Sequence, residues 1–210
     1  DFAPTALFAI SPNLLLTHPS LPPKSVKEFI AFAKQYPGKL NYSSSGSGST
    51  QHLSGEMLKV MTGIGIVHIP YRGTAPSMTA LLSGEVEFSF SNIPAALGYV
   101  QNNRLRAIAI TSAKRSALLP NLPTMDEAGV PKFETSTWYG LLAPAGLPAP
   151  IAEKIHGDLS KLLQSPELRD RFAAAGMEAR SMPPAEFAAF VKREIAKWGK
   201  VVKASGAKAE

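Results

Sequence analysis

The densest concentration of hydrogen-bonding groups in the sequence is YSSSGSGSTQH, from Tyr42 to His52. Glycines let a backbone approach a ligand closely, hydroxyls donate hydrogen bonds, and unpaired amides at the start of a helix favour negative charge. The chemistry this stretch offers is capture of an anion, with Ser44, Gly46, Ser47, Gly48, Ser49, Thr50 and His52 as candidate ligand-binding groups. The architectural alternative is that Ser47 or Ser49 caps a helix and the glycines make a tight turn.

More specialised chemistries fail on spacing. No lysine follows the last glycine, as a GxxxxGK[ST] phosphate loop requires, and Gln51 stands where a GxGxxG motif needs its third glycine. No GxSxG elbow is present for a serine hydrolase. His52 lies three residues after Ser49 and would share a helical face with it, so a small-molecule hydrolase using this pair is the competing enzyme reading. His18, His52, His68 and His156 show no metal-binding spacing, so neither a metal nor a cofactor is expected.

Two further clusters occupy equivalent places. Tyr71-Arg72-Gly73-Thr74 follows an expected strand and precedes an expected helix, so Tyr71 is a candidate donor beside the Ser/Gly loop. Ser91-Asn92 also follows a strand and reads as a turn and cap.

These clusters need a scaffold that brings strand ends together, and the apolar periodicity supplies one. Helices are expected over Ser25–Lys34, from the Ser/Gly loop to a left-handed cap at Gly63, over Ala75–Leu82 and over Pro94–Gln101. Strands are expected over Lys39–Ser43, Ile64–Ile69, Val86–Phe90 and Leu105–Thr111. Alternation of this kind predicts parallel neighbours covered by helices. In open sheets of that type ligands gather outside the carboxyl ends of the strands. Thr124 and Glu127 have capping-box spacing. After Pro131 the pattern changes: an apolar stretch from Trp138 to Ala143 leads through AGLPAP into three amphipathic helices, with no further strand expected.

Composition narrows the class. The 210 residues are 45% hydrophobic and carry 18 prolines and 16 glycines, enough apolar content for a sizeable core and too many breakers for a helical bundle. No run approaches the ~20 apolar residues of a membrane-spanning helix. The formal charge of +6 could steer anions. Its densest basic stretch, Lys192, Arg193, Lys197, Lys200 and Lys203, lies on a helix with an apolar face, so no nucleic acid is expected. The absence of cysteine excludes disulfides and thiolate metal sites.

Four segments in order, PGKLNYSSSGSGSTQHL, HIPYRGTAPSMTALLSGEVEF, RLRAIAITSAKRSALLPNLPTMDEAGVP and WYGLLAPAGLP, resemble the Bug-type solute receptors of tripartite tricarboxylate transporters over essentially the whole chain. The resemblance implies an α/β, two-lobed periplasmic binding protein fold of type II character and a receptor with no reaction. It also implies a small carboxylate ligand, a di- or tricarboxylate, amino acid or aromatic acid, delivered to membrane permease subunits by a monomer in the periplasm. Ser44, Gly46, Gly48, Ser49 and His52 match the family motif, and Tyr71 matches the aromatic of the strand-to-helix turn. A ligand-binding sensory module would present the same pocket to a different partner. The family pattern has a further segment before the equivalent of Asp1, so the N-terminal part of one lobe is expected to be absent. By the same analogy residues 21–134 form a complete ligand-binding lobe. Residues 1–20 would hold part of the other lobe and the first hinge crossing, and 135–210 the second crossing and the C-terminal helices.

Overall fold

The computed structural model describes residues 1–208. Its elements are β1 (Phe2–Thr17), α1 (Val26–Gln35), β2 (Leu40–Ser44), α2 (Thr50–Thr62), β3 (Ile66–Pro70), α3 (Thr74–Ser83), β4 (Phe88–Asn92), α4 (Ile93–Gln101), β5 (Arg106–Ile110), β6 (Ser136–Pro144), α5 (Ala149–Leu162), α6 (Pro166–Ala174), β7 (Glu178–Met182) and α7 (Pro184–Ser205). The chain divides into two compact units, a larger one of Pro12–Ser136 with the chain from Lys200 onward, and a smaller one of Asp1–Ser11 with Thr137–Gly199.

The sheet of the larger unit runs β3-β2-β4-β1-β5. β2 is parallel to both β3 and β4, as the alternation of strands and helices predicts. The expectation of parallel neighbours fails at β1, which is antiparallel to both β4 and β5. The α4 crossover carries β5 one place beyond β4, and the second half of β1 fills the gap from the opposite direction. Helices cover both faces. One face buries Phe29, Tyr42, Leu58, Phe88, Phe90 and Phe133, and the other buries Leu14, Leu16, Met78, Leu81, Ile93 and Ile110. Each such side chain contributes ~1.5–3 kcal/mol by leaving water.

Local signals hold well in this unit. Gly63 closes α2 in the left-handed conformation, at φ 68°. Thr124 and Glu127 bond reciprocally, amide to carboxylate at 2.9 Å and amide to hydroxyl at 3.1 Å, and Arg115 reaches the same carboxylate at 2.8 Å. They cap a turn and not a regular helix.

In the smaller unit the first half of β1 pairs with β6 and, antiparallel, with β7. β7 corrects the expectation of helices alone after Ala143. Its sequence, EARSM, is short and mostly exposed, and only Met182 is buried, so no alternation marks it. Leu7, Met182 and Phe187 form the centre of this unit's core, with Trp138 set edge-on to Phe187 and Phe190.

One packing contact bears directly on the loop after β2. A side chain at Gly55 would run into the ring of Tyr42, which is fully buried. Gly55→Ala is therefore expected to destabilise the protein by ~1–3 kcal/mol through overpacking. Urea unfolding measures it, and an unchanged midpoint would show that the ring has room to move.

Candidate functional site

The carboxyl ends of β2, β3 and β4 lie along one edge of the larger sheet, and a helix starts just beyond each of them. The first of these starts carries the Ser/Gly loop. Gly46 and Gly48 have φ values of 131° and 82°, a region that favours glycine, and they fold the chain back over the strand end. Ser49 is the N-cap of α2, and its hydroxyl accepts from the His52 amide at 3.3 Å. The capping reading of Ser49 is therefore correct. The Ser49 hydroxyl serves the helix start, and His52 Nδ1 accepts from the Gly48 amide at 3.0 Å, an arrangement that supports the backbone and sets up no nucleophile and base.

The loop satisfies many of its own donors. The Ser45 amide goes to Gln51 Oε1 at 2.8 Å, the Gly46 amide to Ser44 Oγ at 3.1 Å, and the Ser49 amide to the Gly46 carbonyl at 3.2 Å. Among the described residues, the amides of Ser47, Thr50 and Gln51 and the hydroxyls of Ser45, Ser47 and Thr50 take no protein partner. Thr50 and Gln51 are the first two residues of α2, so two of these amides stand at the positive end of its dipole. The motif is therefore brought together as expected, with its roles divided. Ser44, Gly46, Gly48, Ser49 and His52 shape the loop, while Ser45, Ser47, Thr50 and Gln51 present donors. Ser45 and Gln51 were not singled out from the sequence, because spacing does not reveal which amides a loop consumes.

Tyr71 joins through its backbone, whose amide donates to the Ser44 carbonyl at 3.0 Å, and the Gly73 amide reaches the Ser45 carbonyl at 3.2 Å. The Tyr71 hydroxyl donates to Glu85 at 2.6 Å, and burial followed by that carboxylate pushes the phenol up to about 12. Arg72 is exposed. Asn92 caps α4 by accepting from the Ala95 amide at 3.3 Å, as the turn-and-cap reading has it.

Behind the loop, hydrogen bonds tie the first turn of α2 to the sheet. The Ser54 hydroxyl lies 2.6 Å from the Thr50 carbonyl and 2.9 Å from Thr135 Oγ1. Thr111 donates to the Thr135 carbonyl at 2.6 Å and accepts from the Asn13 amide at 2.9 Å. The carboxamide of Asn13 and the hydroxyl of Ser91 are buried without a protein partner, and buried polar groups seldom stay so. Asn13 lies directly opposite Asn92 at this same edge. Its role is invisible in the sequence, where it sits inside an apolar run. No group of three or more His, Cys, Asp or Glu among the described residues could hold a metal, and no described helix is long and apolar enough to cross a membrane.

An α/β chain with donor-rich helix starts along one sheet edge has the fold of a periplasmic solute-binding protein, and solved structures of that class superpose on it. An adipate-bound protein of R. palustris, Rpa4515, is 38% identical with a TM-score of 0.93, covering 100% of this chain and 70% of that one. Malate-bound MatC of Rhodopseudomonas palustris is 32% identical with a TM-score of 0.87, covering 96% and 69%. The model of the tripartite tricarboxylate transporter family receptor matches residues 1–207, and the chain belongs to that family. BugT of Bordetella pertussis is 35% identical over 208 residues, 99% of this chain and 64% of its own length. The family and these neighbours are receptors and binding proteins, not enzymes.

The capping role of Ser49 has a measurable size. Ser49→Ala is expected to lower stability by ~1 kcal/mol, while Ser49→Asn, which keeps a side-chain acceptor, retains most of it. Chemical denaturation of the three proteins checks this, and equal losses in both variants would remove the cap from the account.

Proposed function

We propose that this chain captures a small dicarboxylate or tricarboxylate in the periplasm and delivers it to the membrane permease of a tripartite tricarboxylate transporter. The observation that carries the reading is the pair of unpartnered amides at Thr50 and Gln51, at the positive end of a 13-residue helix and beside the Ser45 and Ser47 hydroxyls. The loop from Ser43 to Gln51 holds no acidic side chain to repel an anion, and no basic one to neutralise it. Recognition then rests on neutral donors. Hydrogen bonds to a charged group contribute ~1.5–3 kcal/mol each, so two or three amides suffice for a carboxylate. Structural neighbours that hold adipate and malate support a ligand of this class. The unpartnered carboxamide of Asn13 offers both donors and an acceptor at the same edge, for the remaining polar groups of the acid or for an ordered water bridging to it.

Isothermal calorimetry against malate, adipate and tricarboxylates is expected to give saturable binding without turnover. Thr50→Pro supplies the sharper check. Proline suits the first position of a helix, and the extended Ser49 backbone, at φ −64° and ψ 158°, tolerates a proline after it. The substitution removes one amide and leaves the helix intact, so affinity should fall roughly tenfold to a hundredfold, the equivalent of ~1.5–3 kcal/mol. Thr50→Val separates the hydroxyl from the amide. Unchanged affinity in Thr50→Pro would take the helix start out of the binding site. Asn13→Leu is expected to weaken binding while leaving stability within ~1 kcal/mol, since replacing a buried unpartnered polar group by an apolar one of similar shape is close to neutral.

A further inference from the structure

Behind the Ser/Gly loop two imidazoles lie face to face. The rings of His52, in α2, and His68, in β3, have centroids 3.8 Å apart and planes 9° from parallel. Each ring reaches the loop. His52 Nδ1 takes the Gly48 amide at 3.0 Å, and His68 Nε2 sits 2.6 Å from Ser44 Oγ. The Ser44 hydroxyl also faces both the carbonyl and the amide of Gly46, at 3.1 Å each. A hydroxyl has one proton to donate and two lone pairs. All three contacts of Ser44 are satisfied together when Nε2 of His68 carries a proton and donates, Ser44 donates to the Gly46 carbonyl, and the Gly46 amide donates to Ser44. The contact from Gly48 likewise requires Nδ1 of His52 to be bare. Both rings are then uncharged, each with a proton on Nε2, and between them they fix the two glycines that turn the loop.

We propose that His68 is a positioning residue of the anion loop: its Nε2 proton fixes Ser44, its ring holds His52 in plane to receive the Gly48 amide, and charging the stack releases the loop. A proton added to His52 Nδ1 would point at the Gly48 N–H and break that bond. A charge on His68 would face the second imidazole across the stack, and like charges this close oppose each other.

The surroundings give little to offset such a charge. Tyr42 of β2 has its ring 5.0 Å from that of His68, and its hydroxyl donates to Glu56 of α2 at 2.9 Å. Glu56 also takes Lys59 at 3.3 Å. From β3 and α3 no ionisable side chain other than His68 itself is contributed, and Arg72 in the turn between them is exposed. Burial first, and then the His52 imidazole, push His68 down to about 4 from 6.5. Between those values the unfolded chain binds the proton more readily than the folded one. The stability contributed by the neutral ring is therefore complete above about 6.5 and is lost as the pH falls toward about 4.

The inference rests on the carboxylate reading for its purpose, and its test does not need a ligand. Nuclear magnetic resonance of the 15N-labelled chain follows the Gly46 and Gly48 amides and the imidazole nitrogens from about pH 7.5 to about 3.5. Expected is a Gly48 amide that moves as the imidazoles charge, with the His68 midpoint well below 6.5. His68→Gln keeps a donor for Ser44 and removes the ring, so the pH profile of Gly48 should change. His68→Phe keeps a flat ring and removes the donor, so Gly46 should be displaced already at neutral pH. A Gly48 amide that stays still while the imidazoles charge, or the same Gly48 profile in His68→Gln, overturns the proposal. If acid unfolds the chain first, urea unfolding between about pH 7 and about 5 decides, since an equal pH dependence with and without His68 overturns it as well. Malate and adipate are then titrated into all three proteins at neutral pH. Weaker binding in both variants supports the positioning role, and equal affinity in all three contradicts it. If wild type binds neither acid while the loop titrates as expected, the carboxylate reading fails and the imidazole clamp stands.

Discussion

Under the proposed function, backbone amides at the start of α2 have two competing claimants, the loop itself and an incoming anion, and the structure around them follows from how that competition is resolved. A loop that satisfied every amide would be stable and inert. One that satisfied none would be costly to bury and free to move. Here the Ser44 hydroxyl, Gln51 and His52 take the amides of Gly46, Ser45 and Gly48, and the N-cap hydroxyl of Ser49 takes that of His52. What is left over is a short set of donors at Ser47, Thr50 and Gln51. The buried Tyr42 beneath them, bonded to Glu56 and to the His52 carbonyl, gives the loop a rigid floor.

The parts of this arrangement that could be read from the sequence are those whose partners lie within four residues. Ser49 as a cap, Gly63 as a left-handed helix end and the pair Thr124 and Glu127 are local bonds, written in spacing alone. The place of the Ser/Gly loop between a strand and a helix, here β2 and α2, was legible in the same way. The remainder was illegible because its bonds join distant residues. His68 contributes to the loop from 24 positions away, and Thr111 and Thr135 connect to it through Ser54 over 81. The full length of β1 is hidden because Pro4 and Pro12 interrupt a run whose two halves pair in different units. The antiparallel placement of that strand follows from topology, on which the alternation of strands and helices is silent.

Charge plays a smaller part than the composition suggests. The ion pairs Lys154–Asp158 and Arg171–Glu167 lie on exposed helix faces, where solvent screening leaves such contacts little to contribute. Under the proposed function the excess of basic residues sets the field around the protein, and the neutral donors of the loop set what is held. On that reading the division suits a receptor for acids that differ in size and carry similar charge.

The two glycines at positive φ, fixed by hydroxyl and imidazole contacts, have a kinetic consequence. If this loop is the carboxylate site proposed above, it has little ordering left to undergo when an acid arrives, so association would run close to the rate at which ligand meets the edge of the sheet. Acids of equal charge would then be captured at similar speed. Discrimination between them would fall to residence time, to how long each one stays once bound at the loop.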